Sequence, residues 1–214
     1  MRSVLALILV GATTLPAAAD GIYITEGAGG TDIKDELGAT MGSAVRLRIA
    51  LGLRRGSWAV EGWFAAHFGV AASGYAGGDG SVDEAQGSSV ADFGALTTYG
   101  LDLKYLQPMA EHVDVYLRGS MSGGFMEGGG LDGYAGRGLG VGAGVQLKGK
   151  VRALGFLAWP LFFLQVGPKI TAALWLDTGY ELYRLHPGGR FGAGRTVDAQ
   201  LTSVTGGFAL GSDF

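Results

Sequence analysis

Apolar residues alternate with polar or small residues along most of the chain, and this period of two constrains the fold more than any other feature. The clearest case is residues 138–152, where Leu139, Val141, Ala143 and Val145 alternate with glycines. Neighbouring side chains of a β-strand point to opposite faces of the sheet. The segment is therefore predicted to be a strand with one apolar face and one face on which glycines leave little side-chain volume.

Seven further segments show a strand pattern, which brings the predicted number of strands to eight. They cover residues 21–27, 44–54, 58–70, 93–106, 112–126, 170–184 and 200–214. In the first of them, Ile22, Tyr23, Ile24 and Thr25 allow either phase of the alternation. Eight short alternating strands predict an all-β fold, an eight-stranded antiparallel transmembrane β-barrel in an up-and-down meander.

The predicted connections are of two lengths. Two are tight turns, at Arg54–Ser57 and Gln107–Glu111. Four are longer and rich in glycine or polar residues, at Ala28–Gly42, Ala71–Ser89, Glu127–Arg137 and His186–Asp198. Membrane barrels have short turns on the periplasmic side and long loops outside. Both termini are then expected at the periplasmic end.

The segment Leu154–Val166 departs from this arrangement, because it is apolar where a third short turn is expected. Pro160 disfavours a regular ninth strand, since proline cannot donate a ladder hydrogen bond. Trp159 and the nearby phenylalanines favour an interfacial segment at the periplasmic rim. The alternative is a segment that folds under the barrel and covers its lower mouth.

The N-terminus has the pattern of a cleavable signal peptide. Arg2 provides the positive start, an apolar stretch follows, and Ala17, Ala18 and Ala19 form a small-residue cleavage site. A retained membrane helix is disfavoured because the apolar run is short and ends in threonines and a proline. We therefore expect residues 1–19 to be removed and 20–214 to form one barrel domain.

Composition excludes several other classes of protein. The absence of cysteine excludes a lipid-anchored lipoprotein, a disulfide framework and any cysteine-based metal site. The formal net charge of -3 gives no reason to expect nucleic acid as a partner. The 41 glycines follow no three-residue period, which excludes collagen, and an apolar share of 48% disfavours disorder.

The charged residues of the strands share a face with the glycines, and that face is predicted to be the interior. The ten residues are Arg46, Arg48, Glu61, Asp102, Lys104, Asp114, Arg118, Lys148, Asp177 and Glu181. Five positive and five negative groups in a narrow interior have to be paired. The pattern predicts a mutually neutralising lumen network; the functional alternative is a gate that passes ions when pairs rearrange. A soluble lipocalin-type barrel would instead place its apolar residues inside.

The C-terminal segment connects the chain with a known family. Val204, Phe208, Leu210 and the terminal Phe214 lie on one face of the predicted last strand. In this the chain resembles the small OmpA/OmpX-like outer-membrane barrels of Gram-negative bacteria, whose last strand ends in phenylalanine; Ser212 departs from their pattern. The resemblance implies an outer-membrane location, contact with outer-membrane lipid, and recognition of the C-terminal strand by the barrel-assembly machinery.

Candidate sites for chemistry are few. No spacing of the three histidines, His67, His112 and His186, brings a serine and an aspartate together within hydrogen-bond reach, as a hydrolase triad requires. The acidic loop Gly77–Glu84 lacks the spacing of a calcium loop, and Gly136–Gly142 lacks the strand–turn–helix context of a phosphate loop. We expect no catalytic, cofactor-binding or metal-binding residue.

Three functions are compatible with these features. The first is a structural or surface-interaction barrel with a largely closed, ion-paired lumen. The second is a narrow channel or a carrier of apolar small molecules, and the third is a lipid-modifying enzyme on the same fold. The predicted outer loops carry no motif that names an extracellular partner.

Overall fold

A computed structural model shows a closed barrel of eight antiparallel strands, in which each strand pairs with the next and the last pairs with the first. The structure describes residues 21–70, 93–127, 133–150, 170–187 and 196–212. The strands are β1 (Gly21–Lys34), β2 (Ser43–Arg55), β3 (Trp58–Val70), β4 (Phe93–Ala110), β5 (Val113–Glu127), β6 (Tyr134–Lys150), β7 (Ile170–Pro187) and β8 (Val197–Ser212). The predicted all-β, eight-stranded up-and-down barrel is confirmed.

Each strand exposes one face and buries the other. In β2, Val45, Leu47 and Ile49 are exposed, whereas Arg46 and Arg48 are buried. The same division holds around the barrel, so the exposed hydrophobic side chains form a band on the outside and the ten predicted lumen charges lie within. This is the arrangement of a barrel that faces lipid.

The structure corrects the prediction that Ala28–Gly42 is a long connection. β1 continues to Lys34 and pairs with both β2 and β8, and a short helix, α1 (Asp35–Met41), follows it directly. Gly29 is a strand residue that permits close contact with β8, because a Cβ at this position would overlap the backbone of Val204.

Other boundaries differ from prediction by a few residues. β4 continues through the predicted turn at Gln107 to Ala110, with an irregularity beside Pro108. β6 begins at Tyr134, inside the predicted loop. The predicted signal peptide 1–19, the loop Gly77–Glu84, the segment 154–166 and Phe214 lie outside the described residues. Within the described ranges, no helix has the length and hydropathy needed to cross a membrane.

Candidate functional site

The interior of the barrel is the candidate site, because it holds the charged residues that the sequence predicts there. Its side chains form three layers along the barrel: an apolar layer at the end of the long connections, an ionic layer in the middle, and an aromatic layer towards the short turns. Eight strands enclose a space that side chains can fill. The contacts within each layer decide whether anything could pass.

Arg48 is the centre of the ionic layer. Its Nη2 donates to Glu61 Oε2 at 3.0 Å and to Asp102 Oδ2 at 2.8 Å. The second oxygen of Asp102 accepts a hydrogen bond from Trp63 Nε1 at 2.7 Å. The Arg48 guanidinium also lies 5.6 Å from the centre of the Trp63 ring. These contacts fix both charged partners in one geometry.

Glu61 connects this centre with the lower part of the lumen. Its Oε1 accepts hydrogen bonds from Lys104 Nζ at 2.6 Å and from the Tyr23 hydroxyl at 2.9 Å. Glu61 is fully buried, so this carboxylate depends on protein donors to replace its hydration. The donors are the two cations Lys104 and Arg48 and the hydroxyl of Tyr23.

Arg118 connects the two sides of the layer. Its guanidinium donates to both oxygens of Asp177 at 2.9 to 3.2 Å, and its Nη1 donates to Ser120 Oγ at 2.6 Å. The same group lies 3.7 Å from Asp102 and 3.8 Å from Glu181. Arg118, on β5, therefore joins one carboxylate of β4 and two of β7.

Arg46 closes the ionic layer at its upper edge. It pairs with Glu181 at 3.1 Å and donates to Ser203 Oγ at 2.6 Å. The second oxygen of Glu181 accepts a hydrogen bond from the Tyr183 hydroxyl at 2.8 Å. Together with the contacts of Arg118, this makes a continuous network of eight charged side chains across the lumen.

A smaller ionic group lies near the short-turn end. The Oδ2 of Asp114 is 3.0 Å from both Lys148 Nζ and Arg54 Nη1. Asp114 is buried, whereas the side chains of the two cations retain 21% and 11% of their exposure. Arg54 is absent from the predicted set of ten, although its inward position follows from the alternation.

The inward glycines of β6 make room for the large charged groups opposite. A Cβ at Gly142 would lie 2.7 Å from Arg118 Nε, and one at Gly140 would lie 2.6 Å from Glu181 Cγ. Any larger residue at these positions would displace a member of the network. The alternation of apolar residue and glycine in β6 thus has a specific packing reason.

The helix α1 turns into the outer end of the barrel and closes it. Leu37 and Met41, one helical turn apart, are buried against inward residues such as Leu96 and Leu185. Gly42, with φ at 57°, reverses the chain after the helix, and its carbonyl accepts a hydrogen bond from the Ile33 N–H at 3.0 Å. The outer layer is therefore an apolar plug supplied by the β1–β2 connection.

The lower layer is aromatic. It comprises Tyr23, Tyr116, Trp175, Leu106 and three alanines. Lys104 Nζ lies 4.6 Å from the centre of the Tyr116 ring, and Trp175 Nε1 donates to the carbonyl of Phe208 at 3.1 Å. This layer connects the ionic network with the Asp114 group below it.

All ten predicted lumen charges point inward, but the structure divides them into the network of eight and the pair Asp114 and Lys148. The predicted C-terminal residues Phe208 and Leu210 lie on the outward face of β8. Sequence reasoning missed the polar partners of the network, namely Tyr23, Trp63, Ser120, Tyr183 and Ser203. The alternation of these residues places them inside the barrel, so the sequence does contain a signal for them. Using it requires treating aromatic and hydroxyl side chains as hydrogen-bond partners of the charged groups.

Buried His67 contacts two threonines, with its ring nitrogens 3.2 Å from Thr31 Oγ1 and 3.1 Å from Thr98 Oγ1. His112 is exposed near Glu111, and exposed His186 lies 3.0 Å from Thr196 Oγ1. No group of three or more His, Cys, Asp or Glu side chains suited to a metal ion occurs within the described ranges.

Solved structures of small bacterial barrels are similar to this one. Neisserial surface protein A (NspA) matches with a TM-score of 0.54 at 17% identity, over 90% of this chain and 97% of that chain. Ail of Yersinia pestis matches with a TM-score of 0.42 at 15% identity, over 88% and 97%. OprG of Pseudomonas aeruginosa matches with a TM-score of 0.45 at 13% identity, over 92% and 98%.

No protein-family model and no curated protein matches the chain. The likeness to NspA extends over nearly the whole length of both chains, and it agrees with the closed meander and the exposed apolar band. The chain has the fold of the small eight-stranded outer-membrane β-barrels.

Proposed function

We propose that this protein is a closed outer-membrane barrel with a structural or surface-interaction role, exported with a signal peptide that is removed at residue 19. The wall would anchor the protein in outer-membrane lipid, and the connections at the plugged end would face the outside. The apolar outward band and the two tight turns at the other end, between β2 and β3 and between β4 and β5, support this orientation.

The observation that carries the proposal is the filling of the lumen at three successive levels. An apolar plug, an ionic network and an aromatic layer each consist of side chains with little or no exposed area. A solute would have to displace α1 and then separate paired charges in a low-dielectric interior. Separating buried pairs is costly, because each charge loses the partner that replaced its hydration.

We propose a binding role for the protein and no catalytic one. His67 is held between two threonine hydroxyls in the buried interior, where a lipid substrate has no access. A general base also has to lie within reach of the proton that it removes. The exposed histidines contact Glu111 and Thr196 and have no serine nucleophile among those contacts.

The proposed partners follow from the wall and its last strand. Outer-membrane lipid would contact the exposed band, and nucleic acid is not a proposed partner. The barrel-assembly machinery would recognise the C-terminal strand, whose outward face carries Val204, Phe208 and Leu210. That face is apolar along its lower half, as a lipid-facing strand requires.

Conductance measurements on protein extracted from outer-membrane fractions test the closed-barrel proposal. We expect the protein to be recovered from those fractions, to migrate differently on gels before and after heating, and to pass no steady current in planar bilayers. A large, steady single-channel current from the wild type would establish a channel function. Recovery as a soluble periplasmic protein would contradict the location.

Orientation is tested separately by cysteine labelling, for which the natural chain provides a cysteine-free background. Ser43 is exposed at the plugged end and Glu111 at the short-turn end. In intact cells, we expect a membrane-impermeant maleimide to label Ser43→Cys and not Glu111→Cys. The reverse pattern would show that the barrel is inserted the other way.

A further inference from the structure

Two arginines face each other on the outside of the barrel near its plugged end. Arg137 of β6 and Arg184 of β7 are direct register partners, and both side chains are exposed. Like charges directly opposite each other on a sheet destabilise the pair of strands. A position that brings two cations together at such a cost is a candidate for binding an anion.

Within this arginine pair, Arg184 is ion-paired with a carboxylate. Asp198 of β8 accepts hydrogen bonds from Arg184 Nε at 2.8 Å and from Arg184 Nη2 at 3.2 Å. The backbone N–H of Asp198 in turn donates to Glu36 of α1 at 3.3 Å, which fixes this corner. Arg137 has no ion-pair partner among the residues that the structure describes.

The arginine pair lies at the level of lipid headgroups. On β7, Arg184 follows Leu182 and Tyr180 on the outward face, and Tyr180 donates to Gln200 at 2.9 Å. Tyrosine marks the boundary between the apolar band and the polar region in such barrels. The arginines are therefore placed just beyond the hydrocarbon region, on the outer-leaflet side of the proposed orientation.

An apolar groove descends from Arg137 into the band. It has a volume of about 350 Å³ and includes Tyr99, Leu101 and Met121 among its lining residues. Its floor is Gly123, the register partner of Arg137 on β5. A Cβ at Gly123 would lie 2.8 Å from the Tyr99 ring, so the tyrosine lies across this position. Because β4 and β6 both run towards the short turns, Leu101 lies deeper in the band than Tyr99.

We propose that Arg137, Arg184 and the adjoining groove bind a phosphorylated lipid of the outer leaflet. The phosphate would lie between the two guanidinium groups, whose planar donors match phosphate oxygens. One acyl chain would run down the groove along Gly123, between Tyr99, Leu101 and Met121. The inference rests on the proposed orientation, because only a plugged end that faces outward meets outer-leaflet lipid.

Lipid binding by the purified barrel in neutral maltoside micelles tests the site, with diphosphoryl lipid A as the probe and native mass spectrometry as the readout. We expect Arg137→Gln and Arg184→Gln each to weaken binding about tenfold, because each removes a charge-assisted contact to phosphate. Met121→Ala should weaken binding less. The control is Arg55→Gln. Arg55 is an exposed arginine at the short-turn end of the barrel, and this variant should bind as the wild type does.

Heat-dependent migration on gels shows that each variant is folded before its binding is measured. Equal binding by Arg137→Gln, Arg55→Gln and the wild type would overturn the proposal. Binding of inorganic phosphate alone as tightly as lipid A would show a site for free anions and would also overturn it. Unchanged binding of lipid A after removal of its phosphates would show that only the groove binds. These outcomes are independent of the conductance and labelling results, which test the closed lumen and the orientation.

Discussion

The plug at the outer end and the ionic layer below it close the same lumen by different physical means. The plug rests on Leu37 and Met41, two apolar side chains of one short helix. The ionic layer rests on side chains from several strands, with Arg118 alone facing three carboxylates. The plug can therefore leave as one unit, whereas the loss of any one member of the ionic layer leaves an excess charge in the interior.

This difference sets the free energy of disturbing each layer. Exposing a buried leucine side chain costs about 1.5–3 kcal/mol, and no charge is left without a partner. Removing one partner of a buried ion pair costs about 3–5 kcal/mol, because the remaining charge stays buried without compensation. The outer layer is thus suited to local movement, and the middle layer is more costly to disturb.

The largest effect is expected for Arg118→Met. The change leaves Asp177 without the guanidinium that donates to both of its oxygens, and we expect the free energy of unfolding to fall by about 3–5 kcal/mol. Urea unfolding in micelles, followed by tryptophan fluorescence, measures this. The double variant Arg118→Met, Asp177→Asn should recover part of the loss, because it also removes the unpaired charge.

Arg55→Met is the matched control, since Arg55 is an exposed arginine outside the lumen. Its free energy of unfolding should change by no more than about 0.5 kcal/mol. If Arg118→Met and Arg55→Met were equally stable, the ionic layer would not be a structural element, and the contrast with the plug would disappear.

The faces of the strands could be predicted from the sequence, but the partners of their side chains could not. A period of two assigns a face without reference to the rest of the fold, which is why the ten lumen charges could be placed. Pairing depends on register and closure: Arg46 contacts Ser203, 157 residues away. Alternation also does not show how much free space surrounds an inward side chain. Thr98, for example, points inward but is buried against His67, with no free space of the lumen beside it.

The plug was not predictable by the same reasoning. The segment Asp35–Met41 contains Gly38 and has no side-chain N-cap hydrogen bond, so its local signals are those of a loop. Its helix is stabilised by burial of Leu37 and Met41 in the barrel mouth, a tertiary effect that local propensity does not contain. The glycines of β1 also favoured the incorrect prediction of a loop, because glycine is common in connections.

An intermediate effect is expected for Leu37→Ala. The change should lower the free energy of unfolding by about 2 kcal/mol, since it removes a buried side chain but leaves no unpaired charge. Hydrogen exchange should become faster in α1 and stay unchanged in the central strands. Leu37→Met keeps the apolar volume and is the control.

The conductance of Leu37→Ala sharpens the comparison further. Because the ionic layer still closes the barrel, we expect the variant to pass no steady current. A steady current from this variant, with none from the wild type, would show that the plug alone closes the lumen.

The smallest effects of single substitutions are expected at the lower rim, where one buried carboxylate has two cations. Arg54→Gln or Lys148→Gln should each lower the free energy of unfolding by at most about 1 kcal/mol, because Asp114 keeps one partner and both cations are partly exposed. The double variant should cost about 3 kcal/mol, more than the sum, because Asp114 is then buried without a cation. A double-mutant cycle by urea unfolding measures this coupling. Additive losses would mean that water or another group compensates Asp114, and that the lower rim behaves as a surface and not as part of the ionic interior.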